Sequence, residues 1–130
     1  MAKKILLVDD DPAFNEINRT ILESAGYEVE EALTASEALE KLAGQTFDLL
    51  ILDLMMEEKD AGFKVAYKIR SDEKLKSMPI LMLTSAQEKT GFTFDIEKDR
   101  HWLKVDDLAA KPLKPVELLE RVARLLQKGK

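Results

Sequence analysis

Four short apolar runs punctuate the chain, and each stops on a polar side chain. Lys4-Ile5-Leu6-Leu7-Val8 stops on Asp9, Asp10 and Asp11, and Phe47-Asp48-Leu49-Leu50-Ile51-Leu52 stops on Asp53. Pro79 to Leu83 stops on Thr84, and Leu108-Ala109-Ala110 stops on Lys111. Apolar runs of this length flanked by helical patterns predict strands buried on both faces of a parallel sheet. Tyr27 to Ala32 reads as one more strand. Between the strands, apolar residues recur at helical spacing. Phe14, Ile17, Ile21 and Leu22 follow Pro12, with Asp11 as candidate N-cap and Gly26 as stop. Ser36 to Ala43 presents Ala38, Leu39 and Leu42 and ends at Gly44; Gly62 opens a helix carrying Phe63, Val65, Ala66 and Ile69 toward Asp72. The last helix starts at Pro115 and carries Val116, Leu118, Leu119, Val122, Leu125 and Leu126. Five strands alternating with helices predict a doubly wound α/β sheet with right-handed crossovers and helices on both faces.

Open α/β sheets bind ligands beyond the carboxyl ends of their strands. The polar stops named above gather there. Three acids, a hydroxyl and an ammonium at one sheet edge suggest a metal and phosphate site with a nucleophile at its centre. Taken singly, Asp9-Asp10-Asp11 also reads as a helix-cap cluster, since acids favour helix N-termini. Asp53 alone could cap a strand end, and Thr84 or Lys111 alone could be surface residues.

Ser85 to Asp107 breaks the alternation. Gly91-Phe92-Thr93-Phe94 interrupts the expected helix, and Glu97-Lys98-Asp99-Arg100-His101 is a solvent-type run. Phe92, Phe94 and Trp102 concentrate here. The segment reads either as a long loop burying its own aromatics or as a partner surface with aromatic anchors.

Composition narrows the classes. With 130 residues, 45% hydrophobic and 35% charged, the chain reads as one soluble domain, with no room for an output domain. No apolar run approaches the ~20 residues of a membrane span, and no signal-peptide pattern precedes the first strand, so a cytoplasmic location is expected. A net charge of −5 argues against a nucleic-acid partner. The absence of cysteine excludes thiolate chemistry, and His101 alone makes a histidine-rich metal site or a serine–histidine triad a poor fit.

Ile5-Leu6-Leu7-Val8-Asp9-Asp10, Leu52-Asp53-Leu54-Met55-Met56, Leu83-Thr84-Ser85-Ala86 and Lys111-Pro112 resemble, in order, the four signatures of response-regulator receiver domains. The resemblance covers essentially the whole chain. It implies a flavodoxin-like fold, a three-layer arrangement with five parallel strands in the order 2-1-3-4-5. It also implies that Asp53 accepts a phosphoryl group from a histidine kinase or histidine phosphotransfer protein, a signalling role rather than an enzymatic one. By the same resemblance Asp10 is the closer ligand of a magnesium (or manganese) ion, Asp9 acts largely through water, and the backbone carbonyl of Met55 supplies another oxygen. Lys111 pairs with a phosphoryl oxygen, and Thr84 donates its hydroxyl to another. The signal then leaves through residues 85–107 to a downstream protein, with homodimerisation a further possibility.

The chemistry of these residue types is consistent with those roles. Phosphoryl transfer requires an in-line nucleophile and neutralised charge, and magnesium takes a few carboxylates with waters and phosphate oxygens. Three features depart from the family pattern. Glu57-Glu58-Lys59-Asp60-Ala61-Gly62 lacks the usual proline and is one residue longer. Leu108 stands where the family often has a switching tyrosine or phenylalanine, and Thr84 to Lys111 is longer than usual. A receiver that serves as an unphosphorylated binding scaffold is therefore the main alternative. A metal-dependent phosphohydrolase fits less well, because Met55 stands where such enzymes carry a second acid.

Overall fold

A computed structural model describes residues 2–53, 61–84, 106–110 and 113–128. The strands are β1 (Lys4–Val8), β2 (Glu28–Ala32), β3 (Leu49–Asp53), β4 (Ile80–Thr84) and β5 (Asp107–Ala110). The helices are α1 (Pro12–Ser24), α2 (Ala35–Gly44), α3 (Ala61–Ser71) and α4 (Pro115–Lys128). All four strand pairings are parallel, and the order across the sheet is β2-β1-β3-β4-β5. This is the expected order.

The pleat sorts each apolar run onto two faces, because successive side chains point in opposite directions. Leu6, Val8, Leu50, Leu52, Ile80, Met82 and Leu108 pack with Ala38 and Leu42 of α2 and Val65, Ala66 and Ile69 of α3. Ile5, Leu7, Leu49, Ile51, Leu81, Leu83 and Ala109 pack with Leu22 of α1 and Leu118, Val122, Leu125 and Leu126 of α4. The result is three layers with a core on each side of the sheet. Each fully buried leucine or isoleucine contributes on the order of 1.5–3 kcal/mol. Leu108, in the position the family often gives to an aromatic residue, lies fully inside the α2/α3 face.

Local signals set the helix ends. Asp11 caps α1, its Oδ1 accepting from the N–H groups of Ala13 (3.0 Å) and Phe14 (3.4 Å), as its position before Pro12 suggests. Gly26, at φ 96°, ends the helix: its N–H donates to Glu23 O, and the Tyr27 N–H donates to Leu22 O. Those paired bonds form the left-handed stop that favours glycine. Helix α2 begins one residue earlier than Ser36, because Thr34 Oγ1 accepts from the Glu37 N–H at 3.0 Å. The Glu37 carboxylate returns to the Leu33 N–H at 2.9 Å. Pro79 precedes the assigned start of β4, yet its carbonyl already accepts from the Leu50 N–H, so the expected boundary holds on the acceptor side.

Long-range ion pairs close the amino edge of the sheet. Asp106 Oδ2 accepts from Arg70 Nη2 at 2.6 Å and from the Ile80 N–H at 2.8 Å. Arg70 Nη1 also donates to the carbonyls of Lys76 (2.9 Å) and Met78 (2.7 Å), fastening the turn after α3. Asp107, buried at the start of β5, pairs with Arg121 of α4 at 2.6 Å. Burial works against the Arg121 charge, but the hydrogen bond and charge of Asp107, with help from Glu117, more than offset it and raise its pKa. Neither pairing was legible as a motif, since the partners lie 36 and 14 residues apart.

Candidate functional site: an acidic cluster at the carboxyl edge

Register brings the ends of β1 and β3 together. Val8 pairs with Leu52 and Asp53 with Leu83, so Asp9, one residue beyond Val8, stands level with Asp53. Both acids continue the alternation that places Ile5, Leu7, Leu49 and Ile51 on the α1/α4 face. Asp9, Asp10 and Asp53 each offer a carboxylate oxygen within 4.8 Å of the others. Asp9 and Asp53 are buried, at 2% and 4% exposure, whereas Asp10 is exposed. At such separations each pair of like charges repels by on the order of 3 kcal/mol at an effective dielectric of about 20, before any neighbouring cation is counted.

Three consecutive acids take three different roles. The Asp9 N–H donates to Ala32 O at 3.1 Å, and Asp9 Oδ1 accepts from the Asp11 N–H at 3.0 Å. Asp11 is spent on the helix cap, leaving Asp10 to face the solvent side of the cluster. The expected helix cap is the one observed.

The buried stripe of α1 differs from the expected one. Ile17 is 61% exposed, while Asn15, Asn18 and Leu22 are buried. The reason is polar: Asn15 Nδ2 donates to Asp9 O at 3.0 Å and to Ala32 O at 3.4 Å, turning this face of the helix toward the strand ends. Asn18 Nδ2 donates back to Phe14 O at 2.8 Å. An apolar-periodicity search passes over asparagine. A polar residue at i, i+3 and i+7 spacing with a core leucine was the available signal.

Thr84 ends β4 opposite Ala110, placing its backbone at this same edge; its side chain lies outside the described residues. Lys111, which follows Ala110, also lies outside them, as do Met55, the Glu57–Asp60 loop, Phe92, Phe94 and Trp102. The described donor set is oxygen only and comes from two strand ends. That chemistry fits a hard divalent cation such as magnesium.

The chain matches the response regulator receiver domain family over residues 5–123. The transcriptional regulatory protein GltR of Pseudomonas aeruginosa is 35% identical over 127 residues, covering 98% of this chain and 50% of that protein. The chain spans about half the length of the curated relatives it matches. A CheY-like response regulator receiver domain protein from Methanospirillum hungatei superposes with a TM-score of 0.83 at 30% identity, over 99% of this chain and 97% of that one. The response regulator protein TrrA from Thermotoga maritima, solved in complex with Mg2+-BeF, gives a TM-score of 0.77 at 32% identity, covering 95% and 98%. No helix among the described residues is long and apolar enough to cross a membrane. A sheet in the order 2-1-3-4-5 with an acidic cluster at its carboxyl edge, matched along nearly its whole length, makes this chain a member of the response-regulator receiver domain family.

Proposed function

We propose that the chain is a phosphoacceptor of two-component signalling and that Asp53 is the residue modified. The observation that carries this reading is the buried Asp53 carboxylate held within 4.8 Å of those of Asp9 and Asp10 at the carboxyl edge of the sheet. A carboxylate oxygen of Asp53 forms the new bond to phosphorus as the donor's phosphorus–nitrogen bond breaks, and the departing imidazole takes a proton. Magnesium, when bound, neutralises charge on the carboxylates and on the phosphoryl oxygens. Asp10 and Asp53 would hold it, Asp9 largely through water, and the Met55 carbonyl would add one more oxygen. Lys111 pairs with a phosphoryl oxygen as a point charge, and the Thr84 hydroxyl donates to another. The complex of TrrA with Mg2+-BeF supports the metal assignment by family kinship.

The reaction is directed at the protein itself rather than at a turned-over substrate. The donor is a histidine kinase or a histidine phosphotransfer protein, and the modified state shifts an equilibrium read by a protein partner. The test is incubation with acetyl phosphate and magnesium followed by intact-mass spectrometry. One phosphoryl adduct is expected on the parent and none on Asp53→Asn. A parent that stays unmodified while a control receiver is labelled would instead favour a binding scaffold.

A further inference from the structure

We infer that Asn15 is a positioning residue for the acidic cluster, its buried amide holding the strand end that carries Asp9 and Asp10 and thereby setting the affinity of the site for a divalent cation. This rests on the metal-dependent phosphoacceptor reading above.

Asn15 is 1% exposed, and its Nδ2 faces two carbonyl oxygens, those of Asp9 (3.0 Å) and Ala32 (3.4 Å). Only the nitrogen end of an amide can face two acceptors, so the orientation follows from chemistry. The main-chain N–H of Asn15 also donates to Asp11 O at 3.1 Å. One residue of α1 therefore grips the 9–11 stretch at both ends. Asp10 lies between the two anchored residues, so the direction of its carboxylate depends on both. The Asp9 N–H bond to Ala32 O and the Asp11 N–H bond to Asp9 Oδ1 complete the brace.

Packing alone does not explain an asparagine here. Its Oδ1 is buried without a hydrogen-bond partner among the described residues, a cost that a leucine of the same shape would avoid. What the side chain contributes is the pair of donated bonds. Groups that orient metal ligands without touching the metal typically change its affinity 10- to 100-fold when removed. Magnesium is especially sensitive, because it demands near-octahedral geometry at about 2.0–2.1 Å.

The test is an NMR titration of the isotope-labelled chain with magnesium chloride, comparing the parent with Asn15→Leu and Asn15→Ser. Asn15→Leu is expected to raise the magnesium Kd about tenfold or more. Asn15→Ser, whose hydroxyl retains a donor, should raise it less. Without metal, amide hydrogen exchange at Asp9 and Asp11 should quicken in Asn15→Leu while β3 stays protected. A folded Asn15→Leu with Kd within about twofold of the parent and unchanged exchange at Asp9 and Asp11 would overturn the inference, whatever happens to its thermal midpoint. Should Asn15→Leu not fold, Asn15→Ala, which also removes the donor, carries the same decision, an unchanged Kd and exchange overturning it and a raised Kd supporting it. A parent showing no magnesium-dependent shift at Asp9, Asp10 or Asp53 defeats the metal-dependent reading itself, a result distinguishable because it needs no variant.

Discussion

The two edges of the sheet treat their acids in opposite ways. At the amino edge Asp106 and Asp107 each meet an arginine at 2.6 Å, one from α3 and one from α4. At the carboxyl edge Asp9, Asp10 and Asp53 are drawn within 4.8 Å of one another. Asp107, Asp9 and Asp53 are all buried, so burial does not separate the two groups. What separates them is whether the fold aims acids at guanidinium groups or at each other. The first arrangement holds β4 and β5 to their neighbouring helices. The second gathers like charge at the edge where the proposed phosphoacceptor reading places a divalent cation.

The largest effect is expected where the amino edge is broken. Arg121→Met leaves the Asp107 carboxylate buried without its guanidinium. The expected loss is about 2–3 kcal/mol in urea unfolding, below the ~3–5 kcal/mol of a fully buried pair because Arg121 keeps some contact with water. A loss no larger than that of a surface alanine substitution would remove Asp107–Arg121 from the structural side of the comparison.

The carboxyl edge should respond to metal instead. Magnesium at a hundred times its Kd should raise unfolding stability by about 2.7 kcal/mol, an effect greatly reduced in Asp10→Asn. Equal stabilisation of both proteins by magnesium, read by thermal unfolding, would mean that the ion acts elsewhere. Arg70→Met comes next, at roughly 1–2 kcal/mol. It removes donors to Asp106, Lys76 and Met78, but Asp106 remains partly solvated. Hydrogen exchange should show that loosening in the 72–80 turn while the 9–11 stretch stays protected.

The smallest effect concerns pH. Hydrogen bonds from Gln45 and Lys41, followed by Lys4, hold Glu30 below the usual carboxylate range. A carboxylate with a lowered folded pKa adds stability above its unfolded pKa, and loses it as pH falls through the folded value. Glu30→Gln should therefore flatten the acid limb of the stability curve slightly, by well under about 1 kcal/mol because the cluster meets solvent. An unchanged acid limb would assign that limb to other carboxylates.

Much of this molecule was legible before its structure. Apolar runs ending on Asp9 and Asp53 marked strands and the edge where the acids gather, since strand pleating follows from local pattern. Asp11 and Gly26 marked the ends of α1, because caps are chemistry between near neighbours. The expected apolar stripe erred at Ile17, which is exposed while Asn15 is buried, because asparagine carries no burial signal until carbonyls are there to receive its amide. Likewise, Asp106 belonged to the irregular 85–107 stretch, with no partner in view, until the sheet set it beside Arg70. The sequence alone determined the elements, their order and the identity of the clustered acids, all consequences of local periodicity and short-range capping. Tertiary structure decided which acids face arginines, which face one another and which asparagine braces them, because those choices depend on residues that only folding brings into contact.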